Sequence, residues 1–175
     1  MSLEDFKNRV MPAKNKLFRF AMRLAGNVED AEDMVQEVMI KIWDRRQDMN
    51  QYHNVEAWCM RMVKNLFLDE VKSKRHQTTN RLSDEGQPER MVPTDYPTPY
   101  QVTELNDTMQ KVNRLIAHLP AKQQQIIHLR DVEGYSYQEI AEVMEIDMNQ
   151  VKVNLFRARA TLKKGLLNEE NYGME

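Results

Sequence analysis

Ser136-Tyr137-Gln138-Glu139-Ile140-Ala141, followed after a short interval by Val151-Lys152-Val153-Asn154-Leu155-Phe156-Arg157-Ala158-Arg159, decides how this chain folds. Ser136 and Glu139 have capping-box spacing, in which each side chain satisfies the other residue's free backbone N–H at the start of a helix. Ile140, Ala141 and Met144 then put a narrow apolar face on that helix. Asp147, three residues before Gln150, opens a second helix. On it Val151, Leu155, Ala158 and Leu162 recur at helical spacing, while Lys152, Asn154, Arg157, Arg159, Lys163 and Lys164 face elsewhere. Between Ile146 and Gly165 five Lys or Arg stand against one acid. Two capped helices in tandem, small Ala141 where they are expected to cross, and a one-sided basic face make the pattern of a helix-turn-helix. In that arrangement the second helix enters the major groove of duplex DNA and the first braces it.

Composition frames this reading. The chain has 175 residues, enough for one medium or two small domains. No apolar run approaches the roughly 20 residues of a membrane span, and no signal peptide is recognisable, so membrane insertion is not expected. One cysteine, Cys59, excludes an internal disulfide framework and fits a reducing cytoplasm. Five glycines and the lack of alternating β-branched runs argue for an all-α protein. The net charge of −2 hides a division: residues 1–82 carry 15 basic and 12 acidic groups, 83–103 carry 1 and 4, and the remainder 9 and 11. Nucleic-acid affinity must therefore come from local clusters rather than bulk charge.

The chain divides itself at residues 83–103, which hold Pro88, Pro93, Pro97 and Pro99, four of the six prolines. Helix cannot continue there. The expected organisation is two small helical domains, 1–82 and 104–170, joined by an extended, acidic, Pro-rich linker, with a frayed polar tail at 171–175.

In the first domain, a helix carrying Leu17, Phe20, Ala21 and Leu24 stops at Gly26-Asn27. Glu29, Asp30, Glu32, Asp33 and Glu37 crowd the opening of the next helix, where the helix dipole favours carboxylates. Ala31, Met34, Val35, Val38 and Ile42 form its buried stripe, which leaves Asp33, Gln36 and Glu37 on an acidic ridge facing solvent. No histidine lies within helical reach of the ridge, so a basic protein partner is a better match than a metal ion. A polar connection, Asp48 to Asn54, leads to a long helix with Cys59, Met62, Val63 and Leu66 as its core stripe. Trp58, Arg61, Asn65 and Asp69 line an adjacent face, and the end turns basic with Lys72, Lys74, Arg75 and Arg81. Aromatic groups beside cations are what single-stranded nucleic acid requires, because bases stack on rings while cations follow the phosphates. Trp58 is also a natural core residue. His53, His76, His118 and His128 are scattered, so neither a zinc site nor a catalytic base is indicated, and no cofactor is expected.

These residues carry a resemblance over nearly the whole chain. Asp30-Ala31-Glu32-Asp33-Met34-Val35-Gln36-Glu37-Val38, then Lys41, Trp43, Ala57-Trp58, Asn65, Asp69 and the basic run from Lys72, resemble conserved region 2 of a bacterial RNA polymerase sigma factor of the extracytoplasmic-function (ECF) subfamily. Leu119-Pro120, Gln123-Gln124-Gln125, Leu129-Arg130-Asp131-Val132-Glu133-Gly134-Tyr135-Ser136-Tyr137 and the helix-turn-helix resemble region 4.

The resemblance implies a non-enzymatic protein whose partners are core RNA polymerase, promoter DNA and an anti-sigma factor. Asp30, Asp33, Gln36 and Glu37 would meet the clamp helices of the polymerase's largest subunit, with Met34 and Val35 divided between the domain's core and that interface. Tyr52, His53, Asn54, Trp58, Arg61, Asn65, Lys72, Lys74 and Arg75 would open the −10 box and hold its non-template strand, Trp58 bracing the reading loop from inside. Asn149, Gln150, Lys152, Asn154, Arg157 and Arg159 would read the duplex −35 box. The linker would run through the polymerase channel. Two departures stand out. Many relatives have glycine where this chain has Glu145-Ile146-Asp147, so the turn must be made without glycine's freedom at positive φ, and a usual phosphate-binding arginine is Asn154 here. A stand-alone helix-turn-helix repressor is the competing reading for residues 120–165, and a purely protein-binding helical adaptor is another.

Overall fold

The computed structural model describes residues 1–79 and 107–172. The linker 83–103, Arg81 and residues 173–175 lie outside the described residues. Every described element is helical. An N-terminal body contains α1 (Leu3–Arg9), α2 (Lys14–Ala25), α3 (Val28–Asp44) and α4 (Val55–Thr79). A C-terminal body contains α5 (Asp107–Ala117), α6 (Ala121–Ile127), most of α7 (Tyr137–Met144) and α8 (Met148–Tyr172).

Gly26 and Asn27 join α2 to α3 as their chemistry dictates. Gly26 takes a left-handed conformation at φ 82° and its N–H donates to the Met22 carbonyl, closing α2. Asn27 is extended, and its Oδ1 accepts the Asp30 N–H at 2.8 Å, opening α3. The helix that the sequence presents as the first is in fact α2. The shorter α1 precedes it, opened by a capping box in which Ser2 Oγ accepts the Asp5 N–H at 3.1 Å and Asp5 Oδ2 accepts the Ser2 N–H at 3.0 Å. Phe6 of α1 meets Trp43 of α3 edge to face, with centroids 5.3 Å apart.

Helices α2, α3 and α4 pack against one another in all three pairings. Their core joins Leu17, Phe20 and Ala21 to Ala31, Met34, Val38 and Ile42, and to Cys59, Met60 and Val63. Each of the larger side chains contributes on the order of 1.5–3 kcal/mol by leaving water. Met60 is fully buried, whereas Met62, expected in the core, is half-buried. Since α4 contacts both α2 and α3, its buried stripe is wider than a single seam and takes in Met60. An ion pair between Lys16 Nζ and Glu56 Oε1 at 2.8 Å links α2 to α4 at the surface.

In the C-terminal body α5 and α6 lie on α8. The buried set includes Ile116, Leu119, Ile126, Ile127, Leu129, Val151, Leu155 and Ala158. Gln124 fixes the turn between α5 and α6 by donating its side-chain amide to the Ala117 and Leu119 carbonyls at 2.9 and 2.8 Å. Gly165 lets α8 approach α5 closely: a Cβ there would lie 2.7 Å from Leu115 Cδ2. Helix α8 runs on to Tyr172, so Asn171 and Tyr172, expected in the frayed tail, are helical.

Candidate nucleic-acid interface

The caps of the helix-turn-helix form as their spacing requires. Glu139 N–H donates to Ser136 Oγ at 3.1 Å and Ser136 N–H to Glu139 Oε2 at 2.9 Å, opening α7. Asp147 Oδ1 accepts the Gln150 N–H at 2.8 Å, opening α8. The turn between them is made without glycine. Glu145 adopts the left-handed conformation, φ 57° and ψ 45°, and the Ile146 N–H reaches back to the Ala141 carbonyl at 3.1 Å. The glycine-type helix ending is therefore kept without the glycine, at a conformational cost of about 1–2 kcal/mol.

With Val151, Leu155 and Ala158 buried, α8 turns Asn149, Gln150, Lys152 and Arg157 to solvent. Not all the predicted contacts are equally available. Asn154 is half-buried and donates its amide to the Gln150 carbonyl of its own helix at 2.8 Å. Gln150 Oε1 accepts from Lys122 Nζ at 3.0 Å. The Arg159 guanidinium clasps Asp131 with two hydrogen bonds, Nε to Oδ2 at 3.1 Å and Nη2 to Oδ1. The pairing with Asp131 holds Arg159 above the usual arginine range. Two residues missed by the sequence reading lie on the same face: Phe156, 75% exposed, and Val153, 45% exposed. Their signal was apolar character at positions outside the Val151-Leu155-Ala158 stripe. A groove of about 480 Å³ follows this flank, lined by Tyr137, Lys152, Leu155, Phe156, Arg159 and Lys163.

In the N-terminal body, Asp30, Asp33, Gln36 and Glu37 are exposed on α3. Met34 and Val35, also expected at a partner surface, are only 1% and 3% exposed. Both point into the packing with α2 and α4 and support the ridge from beneath. Ile40 takes the surface position one turn beyond Glu37, at 62% exposure. Glu70 of α4 extends the acidic field. Its carboxyl is raised above the usual range by burial, and the charges of Glu37, Asp30 and Asp33 add to the shift while Lys74 opposes it.

The connection before α4 is held by buried Met49, whose carbonyl accepts the Tyr52 N–H at 3.2 Å. Asn54 caps α4, its Oδ1 accepting the Ala57 N–H at 3.0 Å. Tyr52 is exposed and stacks on half-buried Trp58. His53 is exposed, Arg61 and Asn65 are half-buried further along α4, and Lys72, Lys74 and Arg75 are exposed towards its end. Among the described residues no three His, Cys, Asp or Glu side chains are grouped to hold a metal ion.

Residues 10–77 match the Sigma-70 region 2 family and residues 109–162 match Sigma-70, region 4, in that order along the chain. The chain is 31% identical over 151 residues to the ECF RNA polymerase sigma factor SigE of Mycolicibacterium smegmatis, covering 85% of this chain and 56% of that protein. It is 26% identical over 157 residues to the ECF RNA polymerase sigma factor SigW of Bacillus subtilis, covering 87% and 84%. The chain belongs to the ECF sigma factors of RNA polymerase. This sigma factor thus spans little more than half the length of SigE and most of SigW. The sigma factor RpoE of Bartonella quintana, solved in complex with the anti-sigma factor NepR, shares its fold. The TM-score is 0.75 at 24% identity, over 94% of this chain and 98% of that one. A stand-alone repressor would leave the region 2 match without a role. No helix among the described residues is long and apolar enough to cross a membrane.

Proposed function

We propose that this sigma factor directs core RNA polymerase to a set of promoters and helps to open them, acting in the cytoplasm through binding alone and with no covalent step of its own. Three surfaces divide the work. Asp30, Asp33, Gln36 and Glu37, joined by Ile40 and Glu70, dock on core polymerase, while Met34 and Val35 keep α3 in place behind them. Tyr52 and His53, backed by Trp58, receive unstacked bases of the −10 box, and Arg61, Asn65, Lys72, Lys74 and Arg75 follow the single strand along α4. Stacking of about 1–3 kcal/mol per base offsets the few kcal/mol needed to flip one. On α8, Asn149, Gln150, Lys152 and Arg157 supply polar contacts to the −35 box, and Val153 and Phe156 supply apolar ones of the kind that thymine methyl groups accept.

The observation that carries the proposal is the combination, in one chain, of an exposed Tyr52 stacked on Trp58 with a capped helix-turn-helix that turns cations and Phe156 outward. One set suits melted DNA and the other suits duplex, and only a promoter being opened presents both. Core polymerase would hold the two bodies over their boxes, the linker setting their effective concentration. An anti-sigma factor would act by covering these same surfaces.

In vitro transcription from genomic fragments, with the purified chain and core polymerase freed of other sigma factors, tests the reading. Start sites that depend on the added chain, sharing two upstream boxes, are the expected result. Absence of core binding would overturn it.

A further inference from the structure

Arg159 occupies the flank of α8 that also carries Lys152, Phe156 and Lys163, a position that the basic pattern alone assigns to a DNA phosphate. In the folded chain the Nε–Nη2 edge of its guanidinium is already matched by one carboxylate. Nε meets Asp131 Oδ2 at 3.1 Å and Nη2 meets Oδ1, across 28 residues of sequence. The surroundings reinforce this arrangement. Asp131 lies in the one-turn π-helix His128–Val132, and its neighbour Arg130 donates to the Tyr135 carbonyl at 2.8 Å while lying 4.7 Å over the ring of Tyr137. Tyr137, the first residue of α7, in turn lines the same groove as Arg159. The turn is thus tied to both helices of the reading head through two arginines.

We infer that Asp131 is a positioning residue that withholds Arg159 from the DNA backbone, so that α8 meets duplex DNA with one phosphate contact fewer than its sequence offers. A carboxylate and a phosphate are alternative bidentate acceptors for the Nε–Nη2 edge of the guanidinium, which serves one of them at a time, and the Asp131 carboxylate also offsets the charge that would draw the remaining N–H groups to a phosphate. The pair is half-exposed on both sides, and exposed ion pairs contribute little to fold stability. Its effect is therefore on charge: it neutralises one of the five cations between Ile146 and Gly165. Cations on phosphates bind every sequence alike and make affinity fall with salt. Removing one shifts the balance of recognition towards the groups that face base edges. This inference rests on the reading of α8 as a duplex-binding helix.

The test is binding of the full chain to a short random-sequence duplex, followed by fluorescence anisotropy over a salt series. Each phosphate contact adds about 0.9 to the slope of log affinity against log salt. Arg159→Gln is expected to keep the parent's slope. Asp131→Asn is expected to steepen it by about 0.9 and to tighten binding several-fold at low salt, and Asp131→Asn with Arg159→Gln is expected to return to the parent. A slope lowered by about 0.9 in Arg159→Gln would overturn the inference, because Arg159 would then be contacting phosphate in the parent. Retention of the steeper slope in the double variant would also overturn it, by tracing the effect to the charge of Asp131 alone. If Asp131→Asn fails to fold by circular dichroism, Arg159→Gln still decides, since the inference requires its slope to be unchanged. A parent chain with no salt-dependent duplex binding would instead remove the reading of α8 itself, before any variant is compared.

Discussion

Tyr52 lies nearly parallel to Trp58, with ring centroids 5.0 Å apart and planes inclined by 22°. The two rings are not equivalent: Trp58 is half-buried on α4, and Tyr52 is exposed on the connection that precedes it. In the proposed role Trp58 is therefore the backing, and Tyr52 would offer its surface to an unstacked base. The stack itself is worth about 0.5–1.5 kcal/mol beyond its area.

Tyr52→Ala should reduce promoter opening about tenfold, within the range expected for loss of one stacked base. Tyr52→Phe should stay within about twofold, because the ring and not the hydroxyl provides the platform. Permanganate reactivity of the −10 box in the polymerase complex reads both. Equal loss in Tyr52→Phe would assign the role to the hydroxyl.

The acidic ridge and the residues beneath it should separate cleanly. Asp33→Arg should weaken binding to core polymerase at least tenfold and leave the melting temperature of the free chain unlowered, since Asp33 is exposed and stands among like charges. Met34→Ala should lower stability by about 2–5 kcal/mol through the cavity it leaves. Thermal melting and a core-binding assay on both variants check this division.

Glu70 gives the N-terminal body a measurable pH dependence. Its carboxyl is raised above the ordinary glutamate value of about 4.5, so the protonated form is the one the fold favours. The associated stabilisation is fully present below that value and is lost as pH rises through the higher pKa of the folded state. Glu70→Gln should therefore melt above the parent at pH 7 and lose that advantage well below pH 4.5. A constant difference across the range would show that the effect is not electrostatic.

Glu145 marks the place where the turn is conformationally strained. Glu145→Gly and Glu145→Ala both lose the carboxylate, so the difference between them isolates the cost of φ 57°. The glycine variant should be the more stable by about 1 kcal/mol, as seen by thermal melting.

Much of this architecture was legible because its signals are local. Gly26-Asn27, Ser136 with Glu139, and Asp147 with Gln150 each act within one helical turn, and all three close hydrogen bonds that their spacing calls for. Features set by distant parts of the chain were not legible. Nothing near Arg159 in sequence announces Asp131, and nothing near Glu70 announces Asp30, Asp33 and Glu37. The buried stripe of α4 shifted to Met60 because two helices, and not one, cover it. Met34 and Val35 were legible as part of the buried stripe, and the core takes both side chains whole, leaving little of either for the partner-binding motif they also match.

Helix α8 spans 25 residues without interruption, about 37 Å at 1.5 Å per residue. Its reading end and its seat against α5, where Gly165 meets Leu115, are parts of one stiff rod. Asn149 lies 16 residues from Gly165, so a tilt of about 5° at that seat swings the tip by roughly 2 Å, using the same rise. That displacement is comparable to the difference between making and missing a hydrogen bond to a base. The seat is a fulcrum, and a protein that gripped α5 would gain mechanical leverage over the bases that α8 is proposed to touch.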